Sequence, residues 1–158
     1  MTFYIYTLGC KVNSYESNYM KESLIDKGYK EGNENDSDIY IINTCSVTNT
    51  ADNKSLKTIR STIKNHKDKL IIVTGCLPQV RYDDVFNLDG VDIVIGNKNK
   101  SKLIDLIEDF KINGKTKQLF DISKIEFENM KLNNFDKTRA FVKIQDGCNN
   151  CCSYCIIP

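Results

Sequence analysis

The chain has 158 residues, with 22 Lys and Arg against 21 Asp and Glu, one His, no Trp and seven Cys. Apolar residues make up 41% and charged residues 27%, as in an ordinary globular protein, which excludes disorder along the whole chain. The formal net charge of +1 excludes a strongly basic nucleic-acid coat and an acidic tail, although not a local basic face.

The length suits one domain and the start of another. No run approaches the roughly 20 apolar residues of a membrane helix. The N-terminal stretch Met1 to Thr7 has neither a basic leader nor a long apolar segment. The expected location is therefore the cytoplasm, a reducing compartment with no membrane contact. There, an odd number of clustered cysteines points to metal ligation or catalysis before disulfides.

In chain order, the first apolar run is Phe3 to Leu8, followed by a helical pattern from about Ser14 to Lys27, with Ser14 as N-cap and Gly28 as the stop. The run Ile39 to Ile42 precedes a second helix, about Thr50 to His66. In it Leu56, Ile59 and Ile63 form the buried stripe, and Lys54, Lys57, Arg60, Lys64 and Lys67 a solvated basic side. Leu70 to Val73 follows, then a short helix near Val80 to Phe86, a run from Val91 to Ile95, and a helix from Ser101 to Phe110. The apolar runs lack polar alternation, which marks strands buried on both faces. The expected fold is α/β, a doubly wound and mostly parallel sheet.

Three domains of the chain are expected: an α/β unit over 1–112, a late strand and extended linker over 113–137, and the truncated start of another domain over 138–158. Because the chain stops three residues after its last Cys, it is expected to be a fragment.

The cysteines decide the chemistry. Cys10, Cys45 and Cys76 each follow a predicted strand, spaced by about one βα unit of ~30 residues. Parallel strands then bring all three thiols to the carboxyl-terminal edge of the sheet, where such folds bind ligands. Three thiolates suit a metal or an iron–sulfur cluster with one open coordination site, and Gly9 and Gly75 beside them suit close approach of a bulky inorganic group.

The C-terminal segment Cys148-Asn149-Asn150-Cys151-Cys152-Ser153-Tyr154-Cys155 has two readings. As C-x3-C-x2-C, Cys148, Cys152 and Cys155 wrap a [4Fe–4S] cluster whose fourth iron binds S-adenosylmethionine. As a doubled C-x2-C, Cys148, Cys151, Cys152 and Cys155 hold zinc, although adjacent Cys151 and Cys152 diverge and the usual intervening loop is missing.

Several stretches together resemble the radical S-adenosylmethionine methylthiotransferases. They are Thr7-Leu8-Gly9-Cys10-Lys11-Val12-Asn13-Ser14-Tyr15-Glu16-Ser17, the segment from Asn43 to Ser55, Gly75-Cys76-Leu77-Pro78-Gln79, Arg139 to Cys148, and Cys152 to Pro158. Gly-Cys-Lys-Val-Asn at 9–13 and Val-Thr-Asn-Thr-Ala-Asp at 47–52 resemble the subgroup that acts on threonylcarbamoyladenosine (t6A) in tRNA. Sister subgroups act on isopentenyladenosine tRNA or on a ribosomal protein.

The resemblance implies two [4Fe–4S] clusters. Cys10, Cys45 and Cys76 would hold an auxiliary cluster that carries or donates sulfur. Cys148, Cys152 and Cys155 would hold the radical-generating one, with Tyr154 near the adenine of S-adenosylmethionine. It further implies methylthiolation at C2 of the modified adenosine 3′ of the anticodon, and an electron donor such as flavodoxin or ferredoxin. Family members continue into a TIM-like radical domain, of which residues 138–158 would supply only the first strand and its cluster loop, and a small RNA-binding domain. These 158 residues alone are therefore expected to lack turnover. Cys151 departs from the family pattern and reads as a bystander.

Rival readings are a flavodoxin-like nucleotide domain, disfavoured because no Gly-rich phosphate loop follows the first strand, and a zinc-stabilised RNA-binding module. His66 reads as a solvated residue at a helix end, and Glu16 and Asp52 as helix-capping acids.

Overall fold

The computed structural model describes residues 1–114, 116–118, 128, 130–133, 141–155 and 157. Its elements are β1 (Thr2–Thr7), α1 (Lys11–Asp26), β2 (Lys30–Glu31), β3 (Ile39–Thr44), α2 (Asn49–Asn65), β4 (Leu70–Gly75), α3 (Cys76–Val80), α4 (Tyr82–Phe86), β5 (Ile93–Ile95), a 3₁₀ turn (Lys100–Lys102), α5 (Leu103–Asn113) and β6 (Thr116–Gln118).

The six strands form one parallel sheet in the order β2-β1-β3-β4-β5-β6. Side chains alternate across each strand, so the sheet has two cores. On one face Phe3, Ile39, Ile41, Ile72, Ile93 and Ile95 pack with Met20 and Leu24 of α1 and with Leu103, Ile104, Leu106 and Ile107 of α5. On the other, Ile42, Ile71, Val73 and Val94 pack with Ile59 of α2, Leu77 of α3 and Val85 of α4. The sheet is doubly wound, as the uninterrupted apolar runs implied.

Local boundaries differ from the sequence reading in instructive ways. Helix α1 starts at Lys11 with Cys10 as its N-cap, and Ser14 lies inside the first turn, where its amide donates to the Cys10 carbonyl at 3.2 Å. Gly9, at φ +95°, turns the chain so sharply after β1 that no linker is left for a cap at Ser14. Gly28, at φ +85°, does stop the helix. In α2 the cap is Thr48, whose hydroxyl accepts from the Ala51 amide at 3.1 Å, with Asp52 in the first turn. The expected helix near Val80 to Phe86 is two short helices broken at Arg81, where φ −126° and ψ 56° leave the helical region.

His66 is the C-cap of α2 and half-buried, its ring stacked on Tyr40 with centroids 4.0 Å apart, rather than solvated. Lys54, Lys57, Arg60, Lys64 and Lys67 are exposed. Most of the expected linker lies outside the described residues. Among the described residues of 141–155 there is no strand, so the expected first strand of a further domain is not seen at Phe141 to Ile144. No helix among the described residues is long and apolar enough to cross a membrane.

Candidate metal centre

The strand order reverses between β1 and β3: β1 leads outward to β2, while β3 leads the other way to β4 and β5. Loops diverge at such a point and leave a crevice at the carboxyl ends of the strands. Cys10 stands at the end of β1, Cys45 immediately follows β3, and Cys76 immediately follows β4. The three cysteines therefore share one edge of the sheet, with Cys10 and Cys45 flanking the crevice. All three are free thiols: Cys10 exposed, Cys76 half-buried and Cys45 buried.

Each is held by a short polar network. Asn13, one turn into α1, lies 3.6 Å from the Cys10 sulfur through Oδ1, while its Nδ2 donates to the carbonyls of Leu8 and Thr44, each at 2.8 Å. Asn43 donates to the Asn13 carbonyl at 3.0 Å and to Ser17 Oγ at 3.1 Å. The Ser55 hydroxyl of α2 accepts from the Cys45 amide at 3.3 Å and donates to the Cys45 carbonyl at 2.9 Å. The Thr44 hydroxyl donates to the Thr74 carbonyl at 2.6 Å and accepts from the Leu77 amide at 3.3 Å, tying the loop after β3 to the one after β4. Asn97, after β5, donates from Nδ2 toward the Cys76 sulfur at 3.8 Å. Burial pushes the Cys76 thiol up, while the Asn97 hydrogen bond and the Lys100 cation pull the other way.

Glycines make room at the same edge. A Cβ on Gly9 would run into Cβ and Sγ of Cys45, and one on Gly75 into the Thr44 carbonyl and the Asn43 side-chain oxygen. Buried Ser46 Oγ, next to Cys45, has no hydrogen-bond partner. Among the described residues, no three His, Cys, Asp or Glu side chains converge as they would on a single metal ion. The donor set is thiol-only and stands on three strand ends, the chemistry of a soft-metal site, and Gly9 leaves the space that Cys45 itself fills.

The second cysteine group forms a loop at the end of the chain. Cys148 is half-buried and accepts from the Asn150 amide at 3.4 Å; Cys151, Cys152 and Cys155 are exposed. The Cys155 amide donates to the Cys152 carbonyl at 3.0 Å, closing a single turn between them. Tyr154 is exposed.

Sequence reasoning missed the charged groups beside the edge. Glu16 is buried in ion pairs with Lys100 at 2.8 Å and Lys143 at 3.0 Å, so it is not a capping acid. Asp146 pairs with Lys98 at 2.7 Å and Lys143 at 3.3 Å. Lysines at 98 and 100 in the loop after β5, at the binding end of the sheet, were the available signal.

Residues 2–96 match the family described as "Uncharacterized protein family UPF0004". The chain belongs to that family. Over 99% of its length it is 41% identical to the threonylcarbamoyladenosine tRNA methylthiotransferase of Bacillus subtilis and 38% identical to that of Thermotoga maritima. It is also 38% identical, over its full length, to the tRNA-2-methylthio-N(6)-dimethylallyladenosine synthase of Thermosipho africanus. In each case the chain spans 36% of the relative's length.

Proposed function

We propose that this chain belongs to a cytoplasmic tRNA methylthiotransferase, a transferase that acts at C2 of N6-threonylcarbamoyladenosine 3′ of the anticodon. The observation that carries the reading is that Cys10, Cys45 and Cys76 all stand at the carboxyl-terminal edge of one sheet, two of them on either side of the point where the strand order reverses. The names of the relatives supply the substrate: several are threonylcarbamoyladenosine tRNA methylthiotransferases.

In this reading Cys10, Cys45 and Cys76 hold an auxiliary [4Fe–4S] cluster, and Cys148, Cys152 and Cys155 hold a second that binds S-adenosylmethionine, with Tyr154 beside the adenine. When bound, the second cluster and S-adenosylmethionine supply radical chemistry, and the auxiliary cluster supplies or carries the sulfur. An electron donor of the flavodoxin or ferredoxin type feeds them. The chain's own contribution is placement. Ser55 fixes the Cys45 peptide from both sides, Asn13 locks the start of α1 to the end of β3, and Asn97 directs an N–H toward the Cys76 sulfur. Hydrogen bonds to ligand sulfurs and the burial of a cluster tune its potential. The α/β domain bears the first cysteine group and runs past 112 to include β6 (Thr116–Gln118), a linker follows towards 137, and 138–158 are the start of the radical domain.

The test is anaerobic iron and acid-labile sulfide quantification after reconstitution. The wild type is compared with Cys10→Ala/Cys45→Ala/Cys76→Ala and with Cys148→Ala/Cys152→Ala/Cys155→Ala. Each triple variant is expected to lose about half the iron, since each group ligates its own cluster. Zinc without iron would overturn the reading.

A further inference from the structure

The segment that leads to Cys148 lies against the thiol edge by charge rather than by apolar burial. Along it, Phe141 and Lys143 are turned inward while Val142 and Ile144 are 76% and 90% exposed, the period of an extended chain. The inward contacts are polar. Lys143 Nζ sits 3.0 Å from Glu16 Oε1, Asp146 Oδ2 sits 2.7 Å from Lys98 Nζ, and the Phe141 ring lies under Lys11 Nζ at 5.5 Å from its centroid. Glu16 faces the sheet with its other oxygen, 2.8 Å from Lys100 Nζ, and the side chains of this pair are 5% and 0% exposed. Lys100 in turn donates to the Asn97 carbonyl at 3.1 Å, and Asn97 reaches the Cys76 sulfur. A continuous chain of contacts thus runs from Cys76 through Lys100, Glu16, Lys143 and Asp146 to within two residues of Cys148.

The order of signs is the telling feature. The edge presents an anion, Glu16, and a cation, Lys98; the segment presents the complementary cation, Lys143, and anion, Asp146, three residues apart. Asp146 lies between Lys98 and Lys143, and Glu16 between Lys100 and Lys143, so cations and anions alternate; sliding the segment so that Asp146 meets Glu16 would set like charges together in a half-buried setting. Taking charges out of water opposes such pairs, which are often no better than apolar packing for stability; fixing a register is the best-attested use of such groups.

We propose that Glu16 and Lys98, with Lys143 and Asp146, form an electrostatic register key that places the Cys148–Cys155 loop against the Cys10–Cys45–Cys76 edge, Glu16 acting as the central positioning residue. The idea rests on the reading that both cysteine groups hold clusters, and it deepens that reading by naming what sets one against the other.

The deciding variant is Lys143→Met in the full chain. It leaves Glu16 paired with Lys100 and Asp146 paired with Lys98, so the fold keeps its other buried pairs. Amide exchange of residues 141–147, read by mass spectrometry without iron, is expected to quicken about tenfold, and to return toward the wild-type rate in Lys143→Arg, which keeps the charge. Glu16→Gln is expected to quicken the same amides. After reconstitution, Lys143→Met should keep its iron content, while the magnetic interaction between the two reduced clusters changes in the electron paramagnetic resonance spectrum. Unchanged exchange in Lys143→Met, or equal exchange in the Met and Arg variants, would overturn the key. Failure of the wild type to take up iron would overturn the cluster reading instead, and the exchange arm would still decide the key.

Discussion

The side-chain amide of Asn13 donates to the carbonyl of Thr44 across the crevice between β1 and β3, at 2.8 Å. The same nitrogen donates to the Leu8 carbonyl, also at 2.8 Å, so one buried residue spans the point where the strand order reverses. Cys10 and Cys45 stand on either side of it.

Asn13→Leu matches the side chain in size and removes both donors. Two carbonyls lose their partner in a setting where a buried unsatisfied group costs about 1–3 kcal/mol. The variant is expected to lose roughly 2–4 kcal/mol of stability, a fall on the order of 10 °C in the melting temperature. Thermal unfolding followed by circular dichroism checks this. A change under about 2 °C would show that the crevice does not depend on Asn13.

Two glycines with positive φ should answer differently to the same substitution. Gly75, at φ +102° and ψ −154°, lies where only glycine is comfortable, and an added Cβ would meet the backbone of Thr44. Gly75→Ala is expected to cost more than about 3 kcal/mol and to displace Cys76, its neighbour. Gly28, at φ +85°, has open space around a built Cβ, so Gly28→Ala should cost only about 1 kcal/mol of backbone strain. Urea midpoints of the two variants give the comparison directly.

The part of this fold legible in the sequence was the part set by local chemistry. Buried runs such as Leu70 to Val73 announce strands that bury both faces, and glycine–cysteine pairs at strand ends announce the edge. The two-residue strand β2 has no such run; it is Lys30 and Glu31, held by pairing with Thr2 and Phe3 and by the ion pair of Glu31 with Lys21 of α1 at 2.7 Å. The start of α1 was misplaced because Ser14 is a good cap by propensity, whereas Asn13, drawn to Leu8 and Thr44, starts the helix earlier. The Glu16–Lys143 pair could not be read, since the two residues lie 127 positions apart and nothing local in the chain joins them.

Cys151 offers a clean check on which thiols ligate. It is exposed and directly precedes Cys152, and consecutive side chains in an irregular segment point apart. Cys151→Ser is expected to leave iron and sulfide content within about a tenth of wild type, while Cys152→Ser loses the second cluster. In air, the Cys151→Ser protein should also form fewer mixed disulfides on thiol titration, because an exposed free thiol has been removed. Loss of iron in Cys151→Ser would instead show that Cys151 is itself a ligand.

Asp38 fixes the opposite, amino-terminal edge of the sheet and should make that edge acid-sensitive. Its carboxylate accepts from the Thr2 amide at 2.8 Å and from the Thr2 hydroxyl at 3.2 Å, and pairs with Lys69 at 3.3 Å, joining the starts of β1, β3 and β4. The Thr2 backbone hydrogen bond first, then Lys69, hold its carboxyl below the ordinary 3.8. A carboxyl whose folded pKa is depressed stabilises the fold fully above its unfolded pKa and loses that contribution as pH falls through the folded value. Wild type should therefore be more stable than Asp38→Asn at neutral pH. The gap should begin to close as pH drops below 3.8 and vanish once Asp38 is protonated in both states. Because the group is well exposed, the gap is expected to be modest and to shrink further in high salt. Urea unfolding of both proteins across that acid range checks it; a gap that stays constant with pH would show that the asparagine disturbs packing rather than removing a charge.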